Sequence, residues 1–159
     1  MDRERASRYD YRHFTSLTTR WSDNDAYGHL NNVVYYSLFD TAVNVALIEA
    51  GLLDVERSPV VGLVAETSCR YFEALAFPDA VEAGLRVAKI GRSSVRYELA
   101  IFRKGAAEAA AHGHLVHVYV DRATRRPVVV PAEVRRFLET LRSDEAESRG
   151  AALGVDGQG

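Results

Sequence analysis

The sequence predicts an α+β domain in which an antiparallel β-sheet wraps around one long central helix. The first observation is the segment from Val33 to Gly51, where almost every residue is apolar and the glycine is a natural helix end. The second is a series of three strand-like segments between Pro78 and Val120, which are joined by turns too short for anything but antiparallel pairing. Because a helix this apolar needs cover on several sides, the sheet should curve around it.

Local sequence signals predict the elements between the N-terminus and the end of the long helix. Residues 1–14 form a polar arm, and Thr15 to Trp21 is predicted to be a strand because it is rich in β-branched threonine. Asn31 or Asn32 can cap the helix that follows. The polar residues of this helix form one narrow stripe, so we expect it to be buried around most of its circumference. The stripe consists of Ser37, Asp40, Thr41 and Asn44.

The chain from Val60 to about Asp121 is predicted to be β-structure, with a first strand from Val60 to Phe72. Pro131 suits the first turn of a second, short helix. We therefore place one domain at residues 15–142 and expect a disordered tail at residues 143–159, which are polar and glycine-rich. The three strands that follow the first run from Pro78 to Ile90, from Val95 to Ile101 and from Gly113 to Val120.

Composition excludes several classes of protein. The chain has 159 residues, which suits a single domain, and a formal net charge of -2, which gives no general attraction to nucleic acid. Cys69 is its one cysteine, so an internal disulfide and a cysteine-rich zinc site are excluded. The N-terminal residues lack the apolar core of a secretory signal, and no apolar run reaches membrane-spanning length. We expect a cytoplasmic protein that binds neither nucleic acid nor membrane.

Three histidines in the last predicted strand suggest a metal site at first sight. His112 and His114 share one face of that strand, whereas His117 points to the other face. Three-fold ligation from this strand is therefore implausible, and no metal site is predicted.

Asp23, Asp25 and Gly28 lie immediately before the long helix. The unpaired N–H groups and the positive dipole end of a helix stabilise a carboxylate or a developing oxyanion there. A carboxylate beside an oxyanion site can attack a carbonyl group or activate water to do so. Gly28 would let a substrate approach the backbone closely. The alternative is structural, because Asp, Asn and Gly before a helix are ordinary capping and turn residues.

The run from Arg20 to Tyr35 resembles a known family. It fits the pattern R-x-x-D-x-D-x-x-G-H-x-N-N-x-x-Y of the hot-dog fold acyl-CoA thioesterases of the 4-hydroxybenzoyl-CoA thioesterase type. The resemblance extends more loosely over the β segments and covers roughly Thr15 to Leu141. It implies a hot-dog fold and hydrolysis of an acyl-CoA thioester to a free acid and coenzyme A, with no metal and no redox cofactor.

The resemblance also implies roles for single residues. Asp25 would be the catalytic carboxylate, as nucleophile or as general base, and Asp23 would support it. Backbone N–H groups around Asn32 would polarise the thioester carbonyl. His29 and Asn31 would line the site, with His29 as the second catalytic candidate and Asn31 in contact with the substrate. Gly28 would also contact the substrate, and Tyr35 would lie one helical turn inward, near the acyl pocket.

The turn from Ile90 to Ser94 (IGRSS) matches a family stretch near the coenzyme A arm, so Arg92, Ser93 and Ser94 become candidate substrate-binding residues. The alternative is a plain hairpin turn with a solvent-facing arginine. The resemblance further implies a homodimer or homotetramer with active sites at subunit interfaces. The uncovered sheet edge and the leftover apolar surface favour the same assembly.

Two other functions on the same fold stay open. One is a hydratase or dehydratase that acts on acyl chains still attached to their carrier, which would use a different placement of acid and histidine. The other is an acyl-CoA-binding sensor, which would keep the pocket and lose the acid. The presence of Asp25 favours the hydrolase over the sensor.

Overall fold

A computed structural model describes residues 5–143 of the chain. Two short 3-10 turns, Arg8–Asp10 and Trp21–Asp23, precede the first strand and the long helix respectively. The helices are α1, Asn32–Glu49, and α2, Ala132–Glu139. The strands are β1, His13–Thr18, β2, Val60–Tyr71, β3, Ala80–Ile90, β4, Ser94–Arg103, and β5, Ala111–Asp121.

The five strands form one antiparallel sheet in the order β1-β3-β4-β5-β2. The strands β3, β4 and β5 are the predicted meander. One face of this sheet packs against α1, and the core between them contains Phe39 and Val43 from the helix and Tyr97 and Leu99 from β4. The predicted α+β architecture of an antiparallel sheet around a long helix is confirmed.

The long helix begins and ends at the predicted signals. Asn31 is its N-cap, and Gly51 adopts a left-handed φ of 73° just beyond its C-terminus. The prediction of burial around most of its circumference is wrong for the single chain. The sheet covers one face of α1, whereas Asp40 and Thr41 of the polar stripe are exposed, as is Val33.

Strand β1 begins two residues and ends three residues earlier than predicted. It begins at His13 and ends at Thr18, so Trp21 lies in a 3-10 turn and not in a strand. Pro131 is the residue that precedes α2 and not the first residue of that helix.

The predicted N-terminal arm packs against the outer face of the sheet over the residues that the structure describes. The Arg8 amide donates to the Ala107 carbonyl oxygen at 2.8 Å, and the Ala109 amide donates to Ala6 at 2.9 Å. The Tyr11 side chain is buried edge-on against Phe102, with ring centroids 5.8 Å apart. Residues 5–12 therefore form part of the packed domain.

The C-terminal end of the described chain is also packed. Ser143 is buried, and its amide donates to the Val87 carbonyl oxygen at 3.1 Å. Residues 144–159 of the predicted tail lie outside the described residues. Among residues 5–143, no helix is both long and apolar enough to cross a membrane.

Candidate active site

The segment before α1 folds into a closed loop that holds Asp25. The Asp25 amide donates to the His29 carbonyl oxygen at 2.8 Å, and the Gly28 amide donates to the Asp25 carbonyl oxygen at 3.1 Å. Gly28 has φ 78°, a left-handed conformation that residues with side chains rarely adopt. A Cβ atom there would meet no atom within 4 Å. Glycine is therefore required at this position by the left-handed φ of the turn and not by contacts with neighbouring atoms.

One oxygen of the Asp25 carboxylate is anchored, and the other is open. Oδ1 accepts hydrogen bonds from the amides of Tyr27 at 2.8 Å and His29 at 3.3 Å. Oδ2 accepts no hydrogen bond from any residue between 5 and 143, and the side chain is half-buried. A carboxylate held in this way can attack a carbonyl carbon or take a proton from water.

Asp23, two residues before Asp25, is buried and hydrogen-bonded. Its side chain is 4% exposed, and its Oδ2 and Oδ1 atoms accept hydrogen bonds from the Arg20 amide at 2.7 Å and the Arg20 guanidinium at 2.9 Å. Its carbonyl oxygen accepts from the Asn31 amide at 2.9 Å. Asp23 thus links the segment after β1 to the start of α1. This position fits the supporting role expected for it.

The start of α1 presents an unused donor. The Asn31 side-chain Oδ1 accepts from the Val33 amide at 3.1 Å, so the cap satisfies that N–H group. The amide of Asn32, the first helical residue, donates to no acceptor in the described part of the chain. Because the positive end of the helix dipole lies here, this N–H group can stabilise a negatively charged oxygen.

These groups meet in one cleft of about 650 Å³ at the N-terminal end of α1. Five of the predicted site residues line it: Asp25, His29, Asn31, Asn32 and Tyr35. Gly28 forms the loop behind Asp25. The sequence did not identify the opposite wall, which comes from the end of β2 and the residues after it: Tyr71, Phe72, Glu73 and Ala74.

Two tyrosines join the helix to β2 at this cleft. The rings of Tyr35 and Tyr71 meet edge to face with centroids 5.0 Å apart, and the Tyr71 hydroxyl donates to the Asn32 carbonyl oxygen at 3.2 Å. Burial raises the pKa of Tyr35 to about 12, so its phenol stays neutral at physiological pH. The Tyr71 contact spans 39 residues of sequence, and for that reason local pattern analysis did not find it.

Glu73 adds a second carboxylate to the rim of the cleft. Hydrogen bonds from Arg103 at 3.1 Å and from Arg5 at 3.2 Å hold its two oxygens. These two hydrogen bonds lower the pKa of Glu73, with Arg103 the larger cause, so the carboxylate stays ionised. The sequence did not identify this acid, because it lies about fifty residues from Asp25 along the chain.

The Ile90–Ser94 turn lies far from this cleft within one protomer. Ser94 is opposite Val118 of β5, and Val118 is in turn opposite Leu63 of β2. Tyr71 at the cleft is eight residues further along β2, or roughly 26 Å at the rise of a β-strand. Arg92, Ser93 and Ser94 are therefore not brought together with Asp25 in the single chain.

The three histidines of β5 and Cys69 lie outside the Asp25 cleft. His117 lies beneath α1, whereas His112 and His114 lie on the outer face of the sheet, as their spacing predicted. Burial lowers the pKa of His117 to about 4, so this imidazole is neutral. Cys69 is half-buried, and burial raises the pKa of its thiol to about 11, which leaves little of the reactive thiolate at neutral pH.

Comparisons with known proteins agree with this fold. The thioesterase-like superfamily model matches residues 19–138, which is more than half of the chain. The chain is similar to the PA5185 protein of Pseudomonas aeruginosa strain PAO1, with 54% identity, 89% of this chain and 99% of that chain covered, and a TM-score of 0.87. No curated protein matches the chain.

Two more distant structures share the fold. The gentisyl-coenzyme A thioesterase BH1999 is 23% identical, with 79% of this chain and 99% of that chain covered and a TM-score of 0.71. Slr0204, a 1,4-dihydroxy-2-naphthoyl-CoA thioesterase from Synechocystis, is 13% identical, with 79% and 93% covered and the same TM-score. The predictions of a hot-dog fold and of a thioester hydrolase are confirmed, and the chain belongs to the thioesterase-like superfamily.

Proposed function

We propose that this protein hydrolyses an acyl-CoA thioester to a carboxylic acid and coenzyme A, with Asp25 as the catalytic carboxylate. One observation carries the proposal: the open Oδ2 atom of Asp25 and the free N–H group of Asn32 belong to residues that line the same cleft. Thioester hydrolysis needs this pair, because a base or nucleophile must act on a carbonyl whose oxygen becomes negative.

In the proposed reaction the thioester oxygen accepts a hydrogen bond from the Asn32 amide. Asp25 then removes a proton from a water molecule that attacks the carbonyl carbon, or attacks that carbon directly to form a mixed anhydride, which water hydrolyses to restore Asp25. The carbon–sulfur bond breaks, and the thiolate of coenzyme A takes up a proton. Water is the one co-reactant, so neither a metal nor a redox cofactor is required. His29 lies on the exposed rim and Tyr35 on the buried side, where it would contact the acyl group.

The cleft does not restrict the acyl group of the substrate to one chemical class. Tyr27, Tyr35 and Tyr71 give it an aromatic lining. Such side chains accept aryl and aliphatic groups alike. Two structures of the same fold are named as thioesterases for aryl-CoA substrates, which makes aryl thioesters the first group to test.

The proposed active unit is a homodimer. Strand β2 is an edge of the sheet, and its central residues Leu63 and Val64 are 40% and 49% exposed. An exposed apolar edge strand is a template for pairing with a second chain. If two copies pair antiparallel along β2, the Val60 end of one strand lies beside the Tyr71 end of the other.

This pairing would complete the substrate site. The Ile90–Ser94 turn and an apolar cavity of about 590 Å³ lie at the Val60 end of β2. In the dimer they would lie next to the partner's Asp25 cleft, although they are remote from Asp25 in one chain. Arg92, Ser93 and Ser94 would then contact coenzyme A bound mainly to the other subunit. Association of two dimers into a tetramer stays a separate prediction.

The function is tested by thiol release from a panel of aryl-CoA and straight-chain acyl-CoA thioesters. We expect turnover with at least one class. Release of a hydrated or dehydrated product with its thioester intact, or tight binding without thiol release, would contradict the proposal and favour the two alternatives.

The assembly is tested separately with Val64→Lys, which places like charges near the proposed two-fold axis. We expect this variant to be monomeric by light scattering and to lose thioesterase activity with its Asp25 loop intact. Lys104→Arg, an exposed substitution in the turn after β4, is the control. A wild-type protein that is monomeric and active would refute the proposed assembly.

A further inference from the structure

A second group of polar residues crosses the face of the sheet opposite α1. Ser68 of β2 is directly opposite His114 of β5, His114 is opposite Glu98 of β4, and Glu98 is opposite Arg86 of β3. Four polar side chains therefore form a row across four strands. None of them lines the Asp25 cleft, and the thioesterase reaction uses none of them.

Three side chains in this region form a hydrogen-bonded chain, which we call the outer-face relay: Ser68, His114 and Glu66. The Ser68 hydroxyl lies 2.7 Å from His114 Nδ1, and His114 Nε2 lies 2.5 Å from Glu66 Oε1. With a neutral imidazole, Ser68 donates to Nδ1 while the Nε2–H group donates to the carboxylate. A hydroxyl bonded to a base that a carboxylate in turn orients is the arrangement of an activated serine nucleophile.

The backbone supports this geometry at Gly113, which lies between His112 and His114. A Cβ atom on Gly113 would be 1.8 Å from the Ser68 carbonyl oxygen. Glycine therefore lets β5 approach β2 closely enough for the His114 ring to reach both Ser68 and Glu66.

The relay opens into a cleft of about 440 Å³ between the outer face of the sheet and the N-terminal residues. Ser68 and His114 line this cleft, and the His114 side chain is 16% exposed. The charged residues that also line it are predominantly basic, in a chain whose formal net charge is -2. They are Arg5, Arg70, Arg86 and Arg96, with Asp10 and Glu98.

Two of these arginines are available to a ligand. Arg5 and Arg86 are engaged by glutamates, whereas the side chains of Arg70 and Arg96 form no ion pair or hydrogen bond within residues 5–143. Arg70 is two residues from Ser68 on the same strand, so the two side chains lie on the same face. A negatively charged group bound beside Ser68 would find a cation there.

We propose that the outer-face relay is a second hydrolytic site, which acts on small carboxylic esters that carry a negative charge. Ser68 Oγ attacks the ester carbonyl carbon, and its proton passes to His114 Nδ1. The carbon–oxygen bond to the alcohol breaks, and the alcohol takes that proton. Water then attacks the acyl-serine with His114 as base, which releases the acid and restores Ser68. The net reaction consumes one ester and one water.

Guanidinium groups supply the positive charge that this reaction needs. Backbone amides around Ser68 lie in the plane of the sheet, where they point alternately to β5 and to the free edge, so they do not converge above the outer face as N–H groups do at a helix start. Arg70 stabilises the developing oxyanion or holds the anionic group of the ester. The site therefore prefers an anionic ester to a neutral ester of the same leaving group.

The test uses the full chain with Asp25→Asn as background, so that ester hydrolysis at the Asp25 cleft is removed. Release of 4-nitrophenolate is measured from the neutral ester 4-nitrophenyl acetate and from the anionic ester mono-4-nitrophenyl succinate. We expect hydrolysis of both, with the succinate ester preferred. Ser68→Ala or His114→Gln should lower the rate at least about 100-fold. Arg70→Ala should remove the preference for succinate. Ser37→Ala, on the exposed face of α1, is the matched control.

A direct measurement does not depend on any variant folding. The wild-type protein is treated with a fluorophosphonate, and the modified peptide is identified by mass spectrometry. We expect a phosphonyl adduct on Ser68, formed with loss of fluoride. An adduct absent from Ser68, or a Ser68→Ala rate within twofold of the background, would overturn the proposal. Thiol release by Ser68→Ala in a chain that keeps Asp25 reports on the Asp25 site separately, so the two proposals can fail independently.

Discussion

Replacing Asp25 with asparagine removes a charge and changes almost nothing else. The asparagine side chain keeps a carbonyl oxygen that can accept the hydrogen bonds from the amides of Tyr27 and His29. The left-handed turn at Gly28 and the backbone bond from the Asp25 amide do not depend on the carboxylate. We therefore expect the Asp25→Asn variant to fold like the wild type.

The expected loss of activity follows from the open Oδ2 atom, where the variant carries an amide nitrogen. An amide nitrogen neither accepts a proton from water nor attacks a carbonyl group at neutral pH. Loss of a general base lowers a rate by about 10²- to 10⁴-fold. This factor corresponds to about 3–5 kcal/mol of transition-state stabilisation. The Asn32 amide remains, so residual activity above the uncatalysed rate is expected.

The assay is thiol release under saturating acyl-CoA, with circular dichroism and thermal unfolding as checks on the fold. Asp10→Asn is the matched control, because Asp10 Oδ2 also accepts a hydrogen bond from a backbone amide, that of Ser7, but lies on the outer face of the sheet and outside the Asp25 cleft. We expect that control to keep kcat within about threefold of wild type. A folded Asp25→Asn variant with wild-type kcat would refute the role assigned to Asp25.

Three further predictions concern stability. Asn31→Ala removes the side-chain cap of the Val33 amide and should lower the free energy of unfolding by about 1 kcal/mol in urea titrations. Gly113→Ala drives a Cβ atom into the Ser68 carbonyl oxygen and should cost about 1–3 kcal/mol in the same measurement; a neutral effect would contradict the close strand approach. His117 has its pKa lowered from 6.5 to about 4 by burial, so the unfolded chain binds a proton first as the pH falls. Stability should therefore decrease between about pH 6.5 and pH 4, by up to about 3 kcal/mol, and His117→Asn should reduce that slope.

Local sequence rules were sufficient where residues close together in the sequence determine the backbone geometry. Asn31 caps α1 because its side chain reaches an amide two residues away, and Gly51 ends the helix because it can adopt a left-handed φ. Asp23 and Asp25 could be separated into support and candidate catalyst by the family resemblance. Their contacts in the structure are nearly all local: Asp23 is held by Arg20, and Asp25 by the amides of its own turn.

The same rules failed where a feature depends on distant residues. Tyr71 and Glu73 reach the Asp25 cleft because β2 ends beside the start of α1, and no periodicity within β2 encodes this proximity. The prediction overestimated how much of α1 is buried in the single chain. An apolar helix surface indicates that other residues must pack against it, but it does not indicate whether those residues belong to the same chain. Exposed Val33 and the exposed edge of β2 indicate that part of this cover would come from a second chain.

Strand β2 connects both proposed sites, and its two-residue alternation explains why they can be chemically separate. Tyr71 turns toward the helix start, whereas Ser68 and Glu66 turn outward, to the two ring nitrogens of His114. A catalytic carboxylate gains from the dipole at a helix start, which α1 provides on the inner face. A serine needs instead a base on the neighbouring strand, which the outer face provides. A substitution at Ser68 should therefore change ester hydrolysis without changing thiol release, and a change in both would mean that β2 transmits the effect through its backbone.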